Sequence, residues 1–285
     1  MYKYLFVIVL FLINLEAEDK DYDLLFNNIS HSDDNVTKET MRRYIYSDYN
    51  IGAYKTNYFI PLSYRLKKEY IDNTNLPHES DQLEAEFQVS FKYEIGADLF
   101  GLDEVYSAAY TQKSFWQLYV PSAFFRETNY NPEAFVQFPI TIDYKKNGIK
   151  AIQLGFAHMS NGRGGNEERS WNYFYSDFFF QISSVFLDLK FWYRVNDNHD
   201  YNEELIDYLG HGEVRFMVPY RKHLLEAKFR YSSLASVTTE LNYSHPVFLR
   251  DDLFFYIKAF NGYGESLIDY NQRVKKIGFG FSISR

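Results

Sequence analysis

The sequence predicts an all-β protein, a transmembrane antiparallel β-barrel of about twelve strands. Three observations support this prediction. Apolar and polar residues alternate with period two in about twelve segments, which is the pattern of a strand with two different faces. The apolar faces are rich in Tyr and Phe, with 27 of each in the chain. The links between segments alternate between tight turns and long loops, as they do in bacterial outer-membrane barrels with an even strand number.

The alternation runs from Tyr54 almost to the last residue. Segment 83–95 is the clearest case, because its odd-numbered positions are apolar and its even-numbered positions are polar or charged. The predicted strands are Tyr54–Tyr64, Leu83–Ile95, Glu104–Trp116, Ala134–Tyr144, Ile149–Ser160, Trp171–Ser183, Phe186–Val195, Gly212–Val218, His223–Tyr231, Val237–Ser244, Leu253–Phe260 and Lys275–Ser284.

The links between the predicted strands argue for a barrel over a soluble β-sandwich, which is the main alternative fold. Tight turns are predicted at 145–148 and 219–222, and long loops at 67–82, 117–133, 161–170 and 196–211. Short turns at one end and longer loops at the other are the barrel pattern. The mean hydropathy of −0.40 does not separate the two folds, because lumen-facing polar residues offset lipid-facing apolar ones. A sandwich would be extracted without detergent.

The N-terminus resembles an export signal. Lys3 precedes the apolar run 4–13, which is too short to span a bilayer as a helix and is typical of a secretory signal peptide. We therefore expect a signal peptide at 1–17, a polar N-terminal extension at 18–53 and the barrel at 54–285. The predicted location is the outer membrane of a bacterial cell.

Composition excludes several classes of function. Cysteine is absent, so the chain has neither a disulfide framework nor thiolate chemistry. The formal net charge of −8 argues against a nucleic-acid partner.

A group of polar residues lies at the loop end of one strongly apolar predicted hairpin. The glycine-rich loop 161–170 joins its two strands, which should therefore pair antiparallel. Period two places His158 and Ser160 on one face of the first strand, and Asn172 on the adjacent strand can complete the row. Counting strands from the N-terminus puts this row near the outer interface, on the lipid side of the barrel.

These residue types suit nucleophilic catalysis. A serine hydroxyl such as that of Ser160 is a poor nucleophile until a base removes its proton, and His158 can act as that base. Asn172 can orient the imidazole through its amide oxygen, and a neutral amide suits a lipid-facing surface better than a carboxylate. The backbone N–H of Gly162 could stabilise a developing oxyanion, and the loop carbonyls and carboxylates are hard oxygen ligands of the kind that calcium uses.

The same residues have simpler explanations. A His-x-Ser pair alone is weak evidence for catalysis, and the glycines of loop 161–170 are common in turns. No G-x-S-x-G elbow surrounds Ser160, which excludes a soluble α/β-hydrolase. A non-catalytic outer-membrane barrel, either a porin or an adhesin, remains the alternative function.

Segment 158–172, His-Met-Ser-Asn-Gly-Arg-Gly-Gly-Asn-Glu-Glu-Arg-Ser-Trp-Asn, closely resembles the active-site segment of the outer membrane phospholipase A family. Two further parts agree: 110–118 together with 125–130 (Phe-Arg-Glu-Thr-Asn-Tyr), and 262–271 (Gly-Tyr-Gly-Glu-Ser-Leu-Ile-Asp-Tyr-Asn). The likeness covers roughly residues 56–281. Members of this family are twelve-stranded barrels that hydrolyse acyl esters of outer-leaflet phospholipids as calcium-bound homodimers, with A1, A2 and lysophospholipase activity.

The resemblance implies roles for the polar row and its loop. Ser160 would be the nucleophile, His158 the base, Asn172 its orienting partner and Gly162 an oxyanion donor. Gln112 falls on the family's polar dimer-interface residue, although strand alternation leaves a lumen position open for it.

The resemblance also implies a calcium site, with two departures from the family. Ca2+ would bind the carbonyl of Arg163 and, across the dimer, the carbonyl of Ser122. Glu168 stands where the family has a serine ligand, which changes the charge and reach of that ligand. The loop after Trp116 is shorter than in the best-known members, and this bears on Ser122.

Overall fold

The protein is described by a computed structural model over residues 51–66, 80–140, 147–195, 201–248, 250 and 252–285. Its strands are β1 (Ile51–Ala53), β2 (Tyr58–Arg65), β3 (Leu83–Ala97), β4 (Val105–Trp116), β5 (Phe125–Pro139), β6 (Gly148–Ser160), β7 (Ser170–Ile182), β8 (Val185–Val195), β9 (Gly212–Tyr220), β10 (His223–Ser232), β11 (Ser236–Pro246), β12 (Phe254–Gly262) and β13 (Val274–Ser282). A short helix, α1 (Leu205–Leu209), lies between β8 and β9, and a 3-10 turn spans Gly165–Glu167.

These strands close into a barrel. Each strand from β2 to β13 pairs antiparallel with its neighbours in sequence, and β13 pairs back onto β2. The short β1 pairs with β3 at Phe91–Tyr93, beyond the stretch of β3 that pairs with β2, so β1 and β2 share one position around the barrel. The circumference therefore holds twelve strands, which confirms the predicted fold. Closure gives each strand from β2 to β13 a hydrogen-bonded neighbour on both sides.

The two faces of the wall have opposite character. On β3, Val89, Phe91 and Tyr93 point outward and are exposed, whereas Glu84 and Glu86 are completely buried inside the barrel. An apolar outside around a polar inside is the arrangement of a membrane barrel. None of the helices in the described residues is long and apolar enough to cross a membrane.

The external end of the lumen is filled. We call external the end of the barrel that carries the loops 117–124, 161–169 and 263–273. Leu205 and Leu209 of α1 pack into a buried cluster with the 263–273 loop and the β7 aromatics.

A buried ionic network continues this filling. The guanidinium of Arg126 lies 2.9 Å from a carboxylate oxygen of Glu84 and 2.8 Å from one of Asp269. Buried charges persist only when they are paired in this way. The described residues thus close the lumen at its external end, unlike the lumen of a pore.

Two strand starts predicted from the sequence are clearly wrong. β2 begins at Tyr58, four residues after the predicted start at Tyr54, and the larger error is at β5. β5 begins at Phe125, whereas the prediction placed a loop at 117–133 and a strand at Ala134–Tyr144. The first half of β5 was missed because glutamate, asparagine and proline have low strand propensity. Here they are tolerated because alternate residues face a polar lumen, and Pro132 points outward.

Part of the predicted domain organisation lies outside the described residues. Residues 1–50, with the expected signal peptide and most of the polar extension, are not among them, nor is the end of the predicted strand at 141–144. Residues 51–53, assigned to the extension from the sequence, form β1.

Candidate active site

The β6–β7 hairpin brings two of the predicted site residues into direct contact. His158 pairs with Asn172 in register, and Ser160 pairs with Ser170. The Nδ1 atom of His158 lies 2.8 Å from the Oδ1 atom of Asn172. Because an amide oxygen only accepts hydrogen bonds, Nδ1 carries the proton and Nε2 is left as a basic nitrogen. Ser160 lies two residues further along β6, on the same face as His158.

This polar row lies on the outside of the barrel. Leu154 and Phe156 share the His158 face of β6, and Phe174 shares the Asn172 face of β7; all three side chains are exposed. The residues between them, such as Ala157 and Tyr173, are buried in the lumen. The structure therefore places this row on the outer face of the barrel wall, the face expected from the sequence.

Asn161 braces the loop that follows Ser160. Its side chain is buried; the amide Nδ2 donates to the carbonyl of Glu167 at 2.8 Å. Its Oδ1 accepts from the backbone N–H of Arg169 at 3.0 Å and of Arg163 at 3.3 Å. From the sequence, Asn161 was expected only to form part of the loop. The tendency of asparagine to bond the backbone two residues on is the signal that could have identified it.

Gly162 adopts a conformation that favours glycine. Its φ is +66°, and a Cβ there would lie 3.0 Å from Cε2 of the Tyr130 ring. Tyr130 is the β5 residue that pairs with Ser160, so the ring covers the glycine next to the candidate nucleophile. The Gly162 N–H takes part in no hydrogen bond with any described residue, which suits a donor that waits for an oxyanion.

The candidate calcium ligands lie on two different loops. Arg163 and Glu168 lie on the 161–169 loop, and Ser122 is exposed on the 117–124 loop. Neither the Arg163 carbonyl nor the Glu168 carboxylate contacts a described hydrogen-bond donor. No group of three or more His, Cys, Asp or Glu side chains in the described part of the chain could hold a metal. One carboxylate together with carbonyl oxygens is nevertheless a set of hard oxygen ligands that fits calcium. The 161–169 loop supplies the Glu168 carboxylate and the Arg163 carbonyl of this set.

Gln112 lies on the outer face of β4. Its neighbours Thr111 and Lys113 point into the lumen, where Thr111 contacts Ser90 and the Lys113 ammonium approaches Glu86. The Gln112 amide accepts from Tyr110 Oη at 3.0 Å and donates to Ser114 Oγ at 3.2 Å. The lumen position that alternation left open is therefore wrong. Gln112 lies on the outer wall, and its place in a dimer interface stays a prediction.

The fold and this row of residues define a class: an outer-membrane β-barrel with a candidate hydrolytic site on its lipid side. The sequence matches the family model of phospholipase A1 over residues 35–283. It is 33% identical over 242 residues to phospholipase A1 of Escherichia coli K12 and 32% identical over 242 residues to that of Salmonella typhimurium, covering 83% of this chain and 82% of each relative.

Solved structures of outer membrane phospholipases have the same fold as this chain. The outer membrane phospholipase A of Escherichia coli superimposes with a TM-score of 0.76 at 31% identity, over 83% of this chain and 99% of that one. The Salmonella typhi outer membrane phospholipase dimer with bound calcium gives a TM-score of 0.76 at 30% identity, over 84% and 94% of the two chains. The chain belongs to the phospholipase A1 family.

The protein is thus a carboxylic ester hydrolase of the outer membrane that acts on phospholipids. The predicted family, fold class, enzyme class and location are confirmed. A passive porin or adhesin does not fit these relatives or the filled lumen.

Proposed function

We propose that this phospholipase works through a Ser160–His158–Asn172 triad on the lipid-facing wall and depends on calcium. The observation that carries the proposal is the 2.8 Å contact between His158 Nδ1 and Asn172 Oδ1, with Ser160 on the same outward face. A site there meets a membrane lipid without the lipid entering an aqueous pocket.

The chemical steps follow from this arrangement. Ser160 Oγ attacks the carbonyl carbon of the acyl ester while His158 Nε2 takes the hydroxyl proton. The imidazolium, held by Asn172, returns that proton to the glycerol oxygen as the C–O bond breaks, and an acyl-serine forms. Water then attacks the acyl-serine with His158 again as base, which releases the fatty acid and restores Ser160.

The loop supplies charge stabilisation in this proposal. The Gly162 N–H donates to the oxyanion of each tetrahedral intermediate. Glu168 and the Arg163 carbonyl would hold Ca2+, which would supply positive charge to stabilise the oxyanion. The calcium-bound Salmonella typhi relative supports calcium as the ion.

A homodimer completes the proposed enzyme. Polar side chains that face lipid are costly, and the outward, partly exposed side chains of Tyr110 and Gln112 would gain from a partner surface. A second copy would also bring its Ser122 carbonyl to the calcium. The relative described as a dimer supports this assembly.

Two further features belong to the proposal. The site lies on the outer wall, where no described residue encloses the glycerol backbone of a bound lipid. We therefore include A2 and lysophospholipase activities in the proposal beside the A1 activity. The segment 1–17 directs export and is removed.

The test is fatty-acid release from mixed phospholipid–detergent micelles, with calcium or with chelator, for the wild type and Ser160→Ala. Activity that needs both calcium and Ser160 supports the proposal. Activity that survives in Ser160→Ala would show that another nucleophile operates. Activity that survives chelation would remove calcium from the mechanism.

A further inference from the structure

Two sequence segments that resemble the family, 125–130 and 262–271, have no role in the chemistry described above. In the structure they meet beneath the catalytic loop 161–169. We propose that Glu127 is a positioning residue: through the side chain of Arg163 it holds that loop, and with it the Gly162 N–H and the Arg163 carbonyl. The inference rests on the proposed function of this loop.

The side chain of Arg163 ties the loop to β5. Its Nε atom lies 3.3 Å from Oε2 of Glu127, and its Nη2 donates to the backbone carbonyl of Arg126. Its Nη1 lies 2.6 Å from Oε2 of Glu167 within the same loop. One guanidinium thus joins the middle of the loop, the end of the loop and the neighbouring strand. The planar fork of arginine suits such a three-way contact.

Glu127 is itself held from the opposite side. Its carboxylate is completely buried, and its Oε1 accepts from Asn129 Nδ2 at 2.7 Å and from the backbone N–H of Ile268 at 3.2 Å. Asn129 Oδ1 accepts from the N–H of Leu267 at 3.0 Å. The 263–273 loop therefore fixes Glu127, and Glu127 in turn fixes Arg163.

The connection between Glu127 and Arg163 depends on the negative charge of the Glu127 carboxylate. A buried carboxylate needs a compensating charge, and the Arg163 guanidinium approaches the Glu127 oxygen that accepts no hydrogen bond from any described residue. A neutral isostere at 127 keeps the shape and the Oε1 contacts but removes the attraction for Arg163. The loop then loses its link to β5 while the barrel keeps its strand pairing.

Loss of the link between Glu127 and Arg163 should affect catalysis because Arg163 is adjacent in the chain to Gly162. Gly162 and Arg163 are consecutive, so a shift of the Arg163 side chain moves both the proposed oxyanion donor and the proposed calcium ligand. Misplacement of such groups by about 1 Å is enough to lower rates strongly. Interactions of this supporting kind typically contribute 10–100-fold to metal affinity or activity.

The experiment compares Glu127→Gln with the wild type in calcium-containing mixed micelles. We expect kcat to fall about tenfold, KM to stay within about twofold, and the calcium concentration for half-maximal activity to rise about tenfold. The matched control is Glu133→Gln, a buried carboxylate on the same strand that contacts Lys55 and Tyr175 and does not touch the loop. It should leave kcat and the calcium midpoint within about twofold of the wild type. Equal kcat and calcium midpoint in Glu127→Gln and wild type would overturn the proposal, and so would an equal loss in Glu133→Gln.

A second readout does not depend on activity. In calcium-free detergent, amide hydrogen exchange over residues 161–169 should quicken about tenfold in Glu127→Gln and remain unchanged in Glu133→Gln. Unchanged loop exchange in Glu127→Gln would also overturn the positioning role. The two proposals can fail separately. If the wild type shows no lipase activity but loop exchange is still faster in Glu127→Gln than in the wild type, the proposed function is wrong and the link from Glu127 to the loop is still supported.

Discussion

The Nδ1 atom of His158 and the Oδ1 atom of Asn172 lie 2.8 Å apart on facing positions of β6 and β7. Directly paired residues on adjacent antiparallel strands have their Cβ atoms about 4.5–5.5 Å apart, so the register alone brings the two side chains within reach. The contact is therefore built on two rigid strands. The loop need only place the groups that act on the oxyanion.

The contact predicts the effect of removing the amide. Asn172→Ala should lower kcat about tenfold, because the loss of one hydrogen bond of roughly 1–1.5 kcal/mol frees the imidazole to rotate. Fatty-acid release from micelles measures the rate. Ser176→Ala, on the same outward face of β7 and paired with Leu154, is the control and should match the wild type. A kcat for Asn172→Ala equal to that of the wild type would show that Asn172 does not orient His158.

Glu168 predicts an altered calcium requirement. Glu168→Ala removes the one carboxylate of the proposed site, so the calcium concentration for half-maximal activity should rise about tenfold, roughly 1.4 kcal/mol of binding free energy. A calcium titration of activity measures the midpoint. Glu203→Ala removes an exposed carboxylate from another external loop and should leave the midpoint unchanged. An unchanged midpoint in Glu168→Ala would exclude this side chain as a ligand.

Gly162 predicts a conformational effect. Gly162→Ala puts a Cβ at φ +66° and 3.0 Å from the Tyr130 ring, a conformation that costs an L-residue about 1–2 kcal/mol. The loop should shift and kcat should fall about tenfold or more. Gly164→Ala is the matched control in the same loop, because a Cβ there meets nothing within 4 Å. Equal rates for the two variants would argue against a defined oxyanion position at Gly162.

Strand alternation explains why the barrel and the polar row could be predicted. Period two by itself places His158, Ser160 and Asn172 on one outward face, and the structure confirms that face. The start of β5 could not be predicted, because Glu127 and Asn129 have low strand propensity and are stabilised only by partners in the lumen. Among those partners, the backbone N–H groups of Leu267 and Ile268 lie more than a hundred residues away in the chain.

The catalytic loop was less predictable than the strands. Its glycines and asparagine are typical of any turn, so the sequence alone does not distinguish the bracing by Asn161 from ordinary loop chemistry. The link from Arg163 to Glu127 joins two segments that local periodicity treats independently. Charge pairing across the barrel mouth becomes visible only once the strands are in place.

Asp269 predicts how the external end responds to acid. Burial raises the pKa of this carboxyl, but the adjacent Arg126 and Arg65 guanidiniums, with Nη1 atoms 2.8 and 3.3 Å away, and the Ser266 hydroxyl bring the pKa below its usual value. A depressed folded pKa means that the ionised form stabilises the folded loop. The contribution is fully present above the unfolded value of about 3.9 and is lost as the pH falls through the folded pKa. The protection factors for amide exchange over residues 263–273, which correct for the intrinsic pH dependence of exchange, should therefore be high near neutral pH and should fall as the pH drops below about 4.

The variant Asp269→Asn separates this group from the other carboxylates that titrate in the same range. It leaves the guanidiniums of Arg65 and Arg126 short of one buried anion, and breaking one partner of such a pair costs about 3–5 kcal/mol. The protection factors of the loop should already be low at pH 7 and should change less with acid than in the wild type. Asp252→Asn, which disrupts an exposed pair with Arg250, should leave the exchange profile unchanged because exposed ion pairs contribute little. If the wild-type and Asp269→Asn profiles coincide across the whole pH range, Asp269 does not hold the loop in the barrel mouth.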